Sequence, residues 1–188
     1  SLRDALAAAY AQGQTVIVAA GNSANNNDAS PTYPASYDIP NIISIAATSS
    51  SDSLASFSNF GSQSVHVASP GISILSTLPN DSFGYSSGTS MAAPFAAGLS
   101  ALLIREKGQI NGYQVKGVLF DHSAGINGLY GKVASQSRID ALEAVNFVQN
   151  NDIDNYQPEY AGAERDIASS GAAAGGGCGM VTKMLKGS

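Results

Sequence analysis

The residues best suited to covalent chemistry lie in Ser86-Ser87-Gly88-Thr89-Ser90-Met91-Ala92-Ala93-Pro94. A glycine and two hydroxyl residues precede an apolar series, Met91, Phe95, Leu99 and Leu102, whose spacing predicts one face of a helix. A serine at a helix N-terminus has two readings. It can cap the helix by accepting from an orphan backbone N–H. It can also be a nucleophile, because the N–H groups and the helix dipole there stabilise a developing oxyanion. A nucleophilic serine needs a general base. The chain offers two histidines, His66 in Val65-His66-Val67-Ala68 and His122 in Phe120-Asp121-His122-Ser123. The first falls in an apolar strand-like run and the second follows a helix, positions that favour structural roles.

Ser90 needs a frame to hold it. Residues 1–12 predict a helix with Leu2, Leu6, Ala9 and Tyr10 on one face and Gly13 as its stop. Thr15-Val16-Ile17-Val18-Ala19-Ala20 follows as a short apolar run ending in Gly21-Asn22-Ser23. Helix, glycine turn and apolar strand form an α/β unit with a buried parallel strand, and functional groups gather at the C-terminal ends of such strands. Asn22 by itself reads as an ordinary turn residue. Residues 23–32 read as a loop. Further strands are expected at Asn41–Ala47, Val65–Ala68 and Ile72–Thr77, the last leading to the helix that Ser90 opens and that runs to about Lys107. Pro94 is tolerated in that helix's first turn, Gly98 permits close packing, and Gln114–Phe120 predicts a short helix.

Composition narrows the function classes. With 44% hydrophobic and 12% charged residues among 188, the chain is globular. A net charge of −5 argues against a nucleic-acid partner, which requires a basic face. No apolar run approaches the roughly 18 residues of a membrane span. A single cysteine, Cys178, excludes an internal disulfide framework. Abundant Ser, Asn, Gly and Ala with few Lys suit a secreted or cell-surface bacterial enzyme. Ser1 is not an initiator methionine and no signal peptide is visible, so the chain is expected to be a piece of a longer one.

Gly88-Thr89-Ser90-Met91-Ala92-Ala93-Pro94 resembles the nucleophile motif of the subtilisin-like serine peptidases, and Val18-Ala19-Ala20-Gly21-Asn22 resembles a second signature of that family. The resemblance implies that Ser90 is the nucleophile and that the Asn22 amide donates a hydrogen bond to the oxyanion. Tyr33-Pro34-Ala35-Ser36-Tyr37 is similar to the family segment beside the primary specificity pocket. By that resemblance Thr32 stands at the pocket base, where some members have Gly. Ala19, Ala20 and Gly21 form one wall, with Ser87 and Gly88 nearby. A β-branched Thr32 would make the pocket shallow and fit large aromatic P1 side chains poorly. Ala55-Ser56-Phe57-Ser58-Asn59-Phe60-Gly61 and the Ser137–Val145 segment also resemble the family, so the likeness covers residues 1–148.

The resemblance implies an α/β fold of three α/β/α layers with a mostly parallel sheet, here as a partial domain. It implies protein or peptide substrates and no required cofactor. A weak structural calcium known in part of the family would draw on the carbonyls of Ala35, Tyr37 and Ile42. There an Asp stands at the position of His66, and its loss weighs against that site, because calcium needs oxygen ligands. The family's Asp-Thr/Ser-Gly and His-Gly-Thr motifs are absent from this sequence. The triad Asp and His are therefore expected upstream of Ser1, in the other half of the same catalytic domain, and the chain alone is expected to be inactive. The alternative is a non-catalytic binding or scaffolding module on the same fold. Residues 149–188, polar and then Ala/Gly-rich around Cys178, read as a flexible tail or a surface-sorting or lipid-attachment signal.

Overall fold

The computed structural model describes residues 1–108, 110–153, 155, 156 and 158. Helix α1 (Leu2–Ala11) is stopped by Gly13, whose φ of 73° suits glycine. Strands β1 (Val16–Ala19), β2 (Ile42–Thr48) and β3 (Val67–Pro70) follow, then a hairpin of β4 (Ile74–Leu78) and β5 (Ser82–Ser86). Helices α2 (Thr89–Lys107) and α3 (Gly112–Asp121), strands β6 (Ser123–Gly125) and β7 (Ser137–Ile139), and helix α4 (Ala141–Asn150) complete the described elements. The main sheet runs β1-β2-β3-β7-β6, parallel except where β6 pairs antiparallel with β7.

All seven residues of β2 are buried, which marks it as a strand covered on both faces. Ile43, Ile45 and Ala47 point into the core formed with α2, α3 and α4, while Ile42 packs with Val18 and Ile39 against Leu6 and Tyr10 of α1. The layers are thus those of a doubly covered α/β sheet. Leu2 departs from its expected place on the buried face and is exposed.

Helix α2 turns inward a face that shares Leu99 with the one its large residues suggested but is rotated from it. Ala92, Ala96, Leu99 and Leu103 are buried, whereas Phe95 and Leu102 lie about half exposed. Both sets repeat at helical spacing. The small side chains win because they let the helix axis approach the sheet closely. Among the described residues nothing outside its own helix lies within 4 Å of where a Gly98 side chain would project, so no neighbour closes on it from that side. The strand expected to end at Thr77 continues into a hairpin. Its three-residue turn, Pro79 to Asp81, holds Asn80 and Asp81 at φ of 64° and 52°, both in the left-handed region.

The packed region continues beyond the boundary expected at residue 148. Ile153 is buried and its carbonyl accepts from Gln114 Nε2 at 2.7 Å; Tyr156 Oη donates to Asp121 at 2.6 Å. Cys178 and the Ala/Gly-rich segment lie outside the described residues.

Lys116 of α3 is only 6% exposed and lines a cavity of about 390 Å³ with Ala35, Tyr37, Asp38 and His66. Burial pushes its ammonium from the ordinary 10.5 down to about 8, against the attraction of Asp38. The charged form is therefore disfavoured by folding. Between pH 8 and 10.5 the unfolded chain binds the extra proton, so unfolding free energy rises with pH across that window. At pH 7 the full penalty, on the order of 3 kcal/mol, is present. Lys116→Met should stabilise the protein at pH 7, with the gap to wild type closing as pH rises from 8 to 10.5. Urea unfolding of both forms over that range measures it; a variant less stable at every pH would show that the ammonium's contacts outweigh its desolvation.

Candidate active site

Chemistry is positioned where β1 ends and α2 begins. After Ala20 the chain turns at Gly21, whose φ of 115° is unfavourable for side-chain-bearing residues. A Cβ there would also sit 2.4 Å from Asn59 Nδ2, so glycine is required on two counts. The turn presents Asn22 to the first turn of α2. Asn22 Oδ1 accepts from the backbone N–H of Thr89 at 2.8 Å and from its hydroxyl at 2.9 Å. The same hydroxyl accepts from the Gly21 N–H at 3.1 Å. With its oxygen committed, the carboxamide leaves Nδ2 as its donor, on a residue that is exposed.

Ser90 is the second residue of α2 and is exposed, while Thr89 before it is fully buried. The N-cap is Gly88, with no side-chain cap bond, so the capping reading of Ser90 fails. The Gly88 N–H donates to the Gly71 carbonyl at 2.8 Å. Gly71 allows that approach: a Cβ on it would lie 2.6 Å from Ala47 Cβ and 2.9 Å from the Gly88 oxygen. Gly88 in turn lies beside Asn22, since a Cβ on it would fall 3.4 Å from Nδ2. Gly21, Asn22, Gly88, Thr89 and Ser90 are thereby gathered from segments far apart in the chain.

The other residues implied for substrate binding are placed around this junction. Ala20 is fully buried, and its carbonyl accepts from Asn27 Nδ2 at 2.9 Å and Asn59 Nδ2 at 3.1 Å; Ala19, just before it, is partly buried. Thr32 donates its hydroxyl to Asn27 Oδ1 at 3.0 Å and lies 3.3 Å from Asn59 Nδ2. Ser87 is exposed and its hydroxyl accepts from the Ser73 N–H at 2.9 Å. Asn59 and Asn27 tie these groups together, and sequence reasoning passed over both. The only signal was that Asn59 sits in a family-like segment.

Both histidines are engaged elsewhere. His66 is 6% exposed, its Nδ1 accepts from the Ser44 N–H at 2.8 Å, and its backbone N–H donates to the Ser44 carbonyl. Burial, and secondarily the Lys116 charge, push its pKa well below the ordinary value, which keeps it neutral. His122 stacks on Phe147 with ring centroids 3.6 Å apart and faces Glu143 at 3.9 Å.

Two of the residues whose carbonyls were expected to hold calcium share a cavity with a buried cation. Ala35 and Tyr37 line the same cavity as the Lys116 ammonium and His66, and the Tyr37 carbonyl already accepts from the Ile39 N–H at 3.0 Å. Ile42 lies in the first position of β2. Among the described residues no cluster of three His, Cys, Asp or Glu could hold a metal. A buried positive charge repels the divalent cation that those carbonyls would need to bind.

Comparison with known proteins gives this geometry its context. The chain is 47% identical over 92 residues to subtilisin-like protease 2 of Plasmodium falciparum, a match covering 49% of this chain and 7% of that protein. It is 36% identical over 146 residues to thermitase of Thermoactinomyces vulgaris, covering 78% of this chain and 49% of thermitase. The chain thus spans less than half the length of these relatives. Its fold is similar to that of the prenylagaramide maturation protease PagA, with a TM-score of 0.67, 25% identity, and coverage of 78% of this chain and 55% of that one. A profile of the subtilase family matches residues 1–156. With most of its length under that profile, the chain belongs to the subtilase family.

Proposed function

We propose that this chain carries the nucleophile and two oxyanion donors of a serine endopeptidase. Ser90 Oγ attacks the scissile carbonyl of a protein or peptide substrate and forms an acyl-enzyme as the amine leaves; water then attacks the ester and frees Ser90. The negative oxygen of each tetrahedral intermediate receives hydrogen bonds from the Ser90 N–H and the Asn22 amide. One observation carries this reading. Thr89 locks the Asn22 carboxamide through its oxygen, leaving an oriented donor at the start of the helix in which Ser90 is exposed. A neutral amide held in this way needs no reorganisation when charge develops.

The proton acceptor and its orienting carboxylate come, in this reading, from residues outside the 188, because His66 and His122 are occupied by Ser44 and Phe147. Lys116 replaces the positive charge of a calcium, and no cofactor takes part. A location outside the cell accords with the Ser- and Asn-rich composition, and among the described residues no helix is long and apolar enough to cross a membrane. A bacterial source is not part of the proposal, since a Plasmodium protease is matched as well. The engagement of both histidines also favours a second reading, a non-catalytic binding module on this fold.

A fluorophosphonate probe separates the two. In the protease that contains this chain, the probe should label the wild type and leave Ser90→Ala unlabelled; an unlabelled wild type would favour the module. Residues 1–188 alone should hydrolyse fluorogenic casein no faster than their Ser90→Ala form, because an unactivated serine is a weak nucleophile. Asn22→Ala should lower kcat by about 10² to 10³ with KM nearly unchanged, the magnitude known for the equivalent donor in this family. A loss confined to KM would remove Asn22 from the oxyanion role.

A further inference from the structure

Asn59 is a buried asparagine, 2% exposed, at the centre of the segment that runs beside the Gly21–Asn27 turn. Its Oδ1 accepts from the N–H groups of Ser23 at 2.8 Å and Asn25 at 3.1 Å, just beyond Asn22. Its Nδ2 donates to the Ala20 carbonyl at 3.1 Å and Asn27 Oδ1 at 3.0 Å, with Thr32 Oγ1 at 3.3 Å. Its backbone N–H donates to the Gly21 carbonyl at 2.8 Å. One side chain therefore grips the chain on both sides of Asn22. It also reaches Thr32, which resemblance places at the base of the specificity pocket. The neighbours of Asn59 extend the grip: the Ala24 N–H donates to the Phe57 carbonyl, and the Phe60 N–H to the Asn25 carbonyl.

The bonds divide by chemistry. A carboxamide is the group that can accept from two N–H donors at one end while donating to carbonyl oxygens at the other. Aspartate keeps the first function and loses the second, placing a negative oxygen against the Ala20 carbonyl. Alanine loses both and leaves two backbone N–H groups and a buried carbonyl to find other partners. Gly21 belongs to the same device, since a Cβ on it would collide with Asn59 Nδ2.

We infer that Asn59 is the positioning residue for the oxyanion donor: it fixes the turn that aims the Asn22 amide, and through Thr32 it couples that aim to the specificity pocket. This rests on the reading of Asn22 and Ser90 given above. Asn59 acts on turnover through Asn22, so its effect on kcat should vanish when Asn22 is already gone.

The test is a double-mutant cycle in the active protease that contains this chain, with melting temperature as the folding control. Asn59→Ala should lower kcat between about 10-fold and 100-fold, the scale of a donor displaced by about an ångström. In the Asn22→Ala background the same change should cost less than about 2-fold, the coupling expected of residues that act as one unit. Asn59→Asp, nearly isosteric, runs the same cycle and supplies the answer if the alanine variant does not fold; its Ser23 and Asn25 amides should keep slow hydrogen exchange while kcat falls. Equal losses in both backgrounds overturn the inference and leave Asn59 a structural residue. A wild type that hydrolyses substrate through Ser90, yet is indifferent to Asn22→Ala, overturns the oxyanion reading and this inference with it. Either result is told apart from a wild type without Ser90-dependent activity, which overturns the peptidase reading itself.

Discussion

The hydroxyl of Thr89 is the point on which the site depends. It donates to Asn22 Oδ1 and accepts from the Gly21 N–H, so it joins the end of β1 to the start of α2 with two bonds from one atom. Thr89 is fully buried, and leaving such a group unpaired costs on the order of 1–3 kcal/mol. That cost pins the orientation of the carboxamide: turned about, Asn22 would set its amide hydrogens against the Thr89 N–H. Position and polarity of the donor are thus fixed by the same contacts that hold strand and helix together.

The helix contributes through what it lacks. Ala92 and Ala96 are the residues of its first turns that face the sheet, and both are fully buried. Larger side chains there would lift the N-terminus away from Ala47 and Gly71, and the Gly88 to Gly71 bond would not form. No acidic residue sits in the first turn of α2, so the positive end of the helix dipole is left uncompensated, as the proposed oxyanion role requires.

A second charged region lies at the cavity that Lys116 of α3 lines. Lys116 and His66 share a cavity with Asp38 and Asp28 at its edge. Asp28 is occupied by the Ser62 hydroxyl and by the N–H and hydroxyl of Ser64, which, against its desolvation, hold its carboxyl below the usual range. A buried positive charge, Lys116, is built into α3. Its cost is desolvation of the ammonium, offset in part by Asp38.

Much of this was legible in the sequence, and the reason is local. Strand β1 is a continuous apolar run closed by a glycine, α2 follows a Gly-Thr-Ser string, and α4 follows an Asp that caps it with bonds to Leu142 and Glu143. Such features depend on neighbours within a turn or a strand. The family-like strings marked Ser90 and Asn22 for the same reason. What tertiary structure decided lay between distant segments. Which helical face of α2 is buried depends on the sheet it meets, and weight given to Phe95 and Leu102 pointed to the wrong one. The packing of Ile153 and Tyr156 depends on α3, which no composition of residues 149–158 announces. Asn59 reads in sequence as one more polar residue in a loop. It becomes the hub of the turn that carries Asn22 only because parallel pairing brings the segment after β2 alongside the segment after β1, and a buried carboxamide there must find a partner for each of its polar atoms.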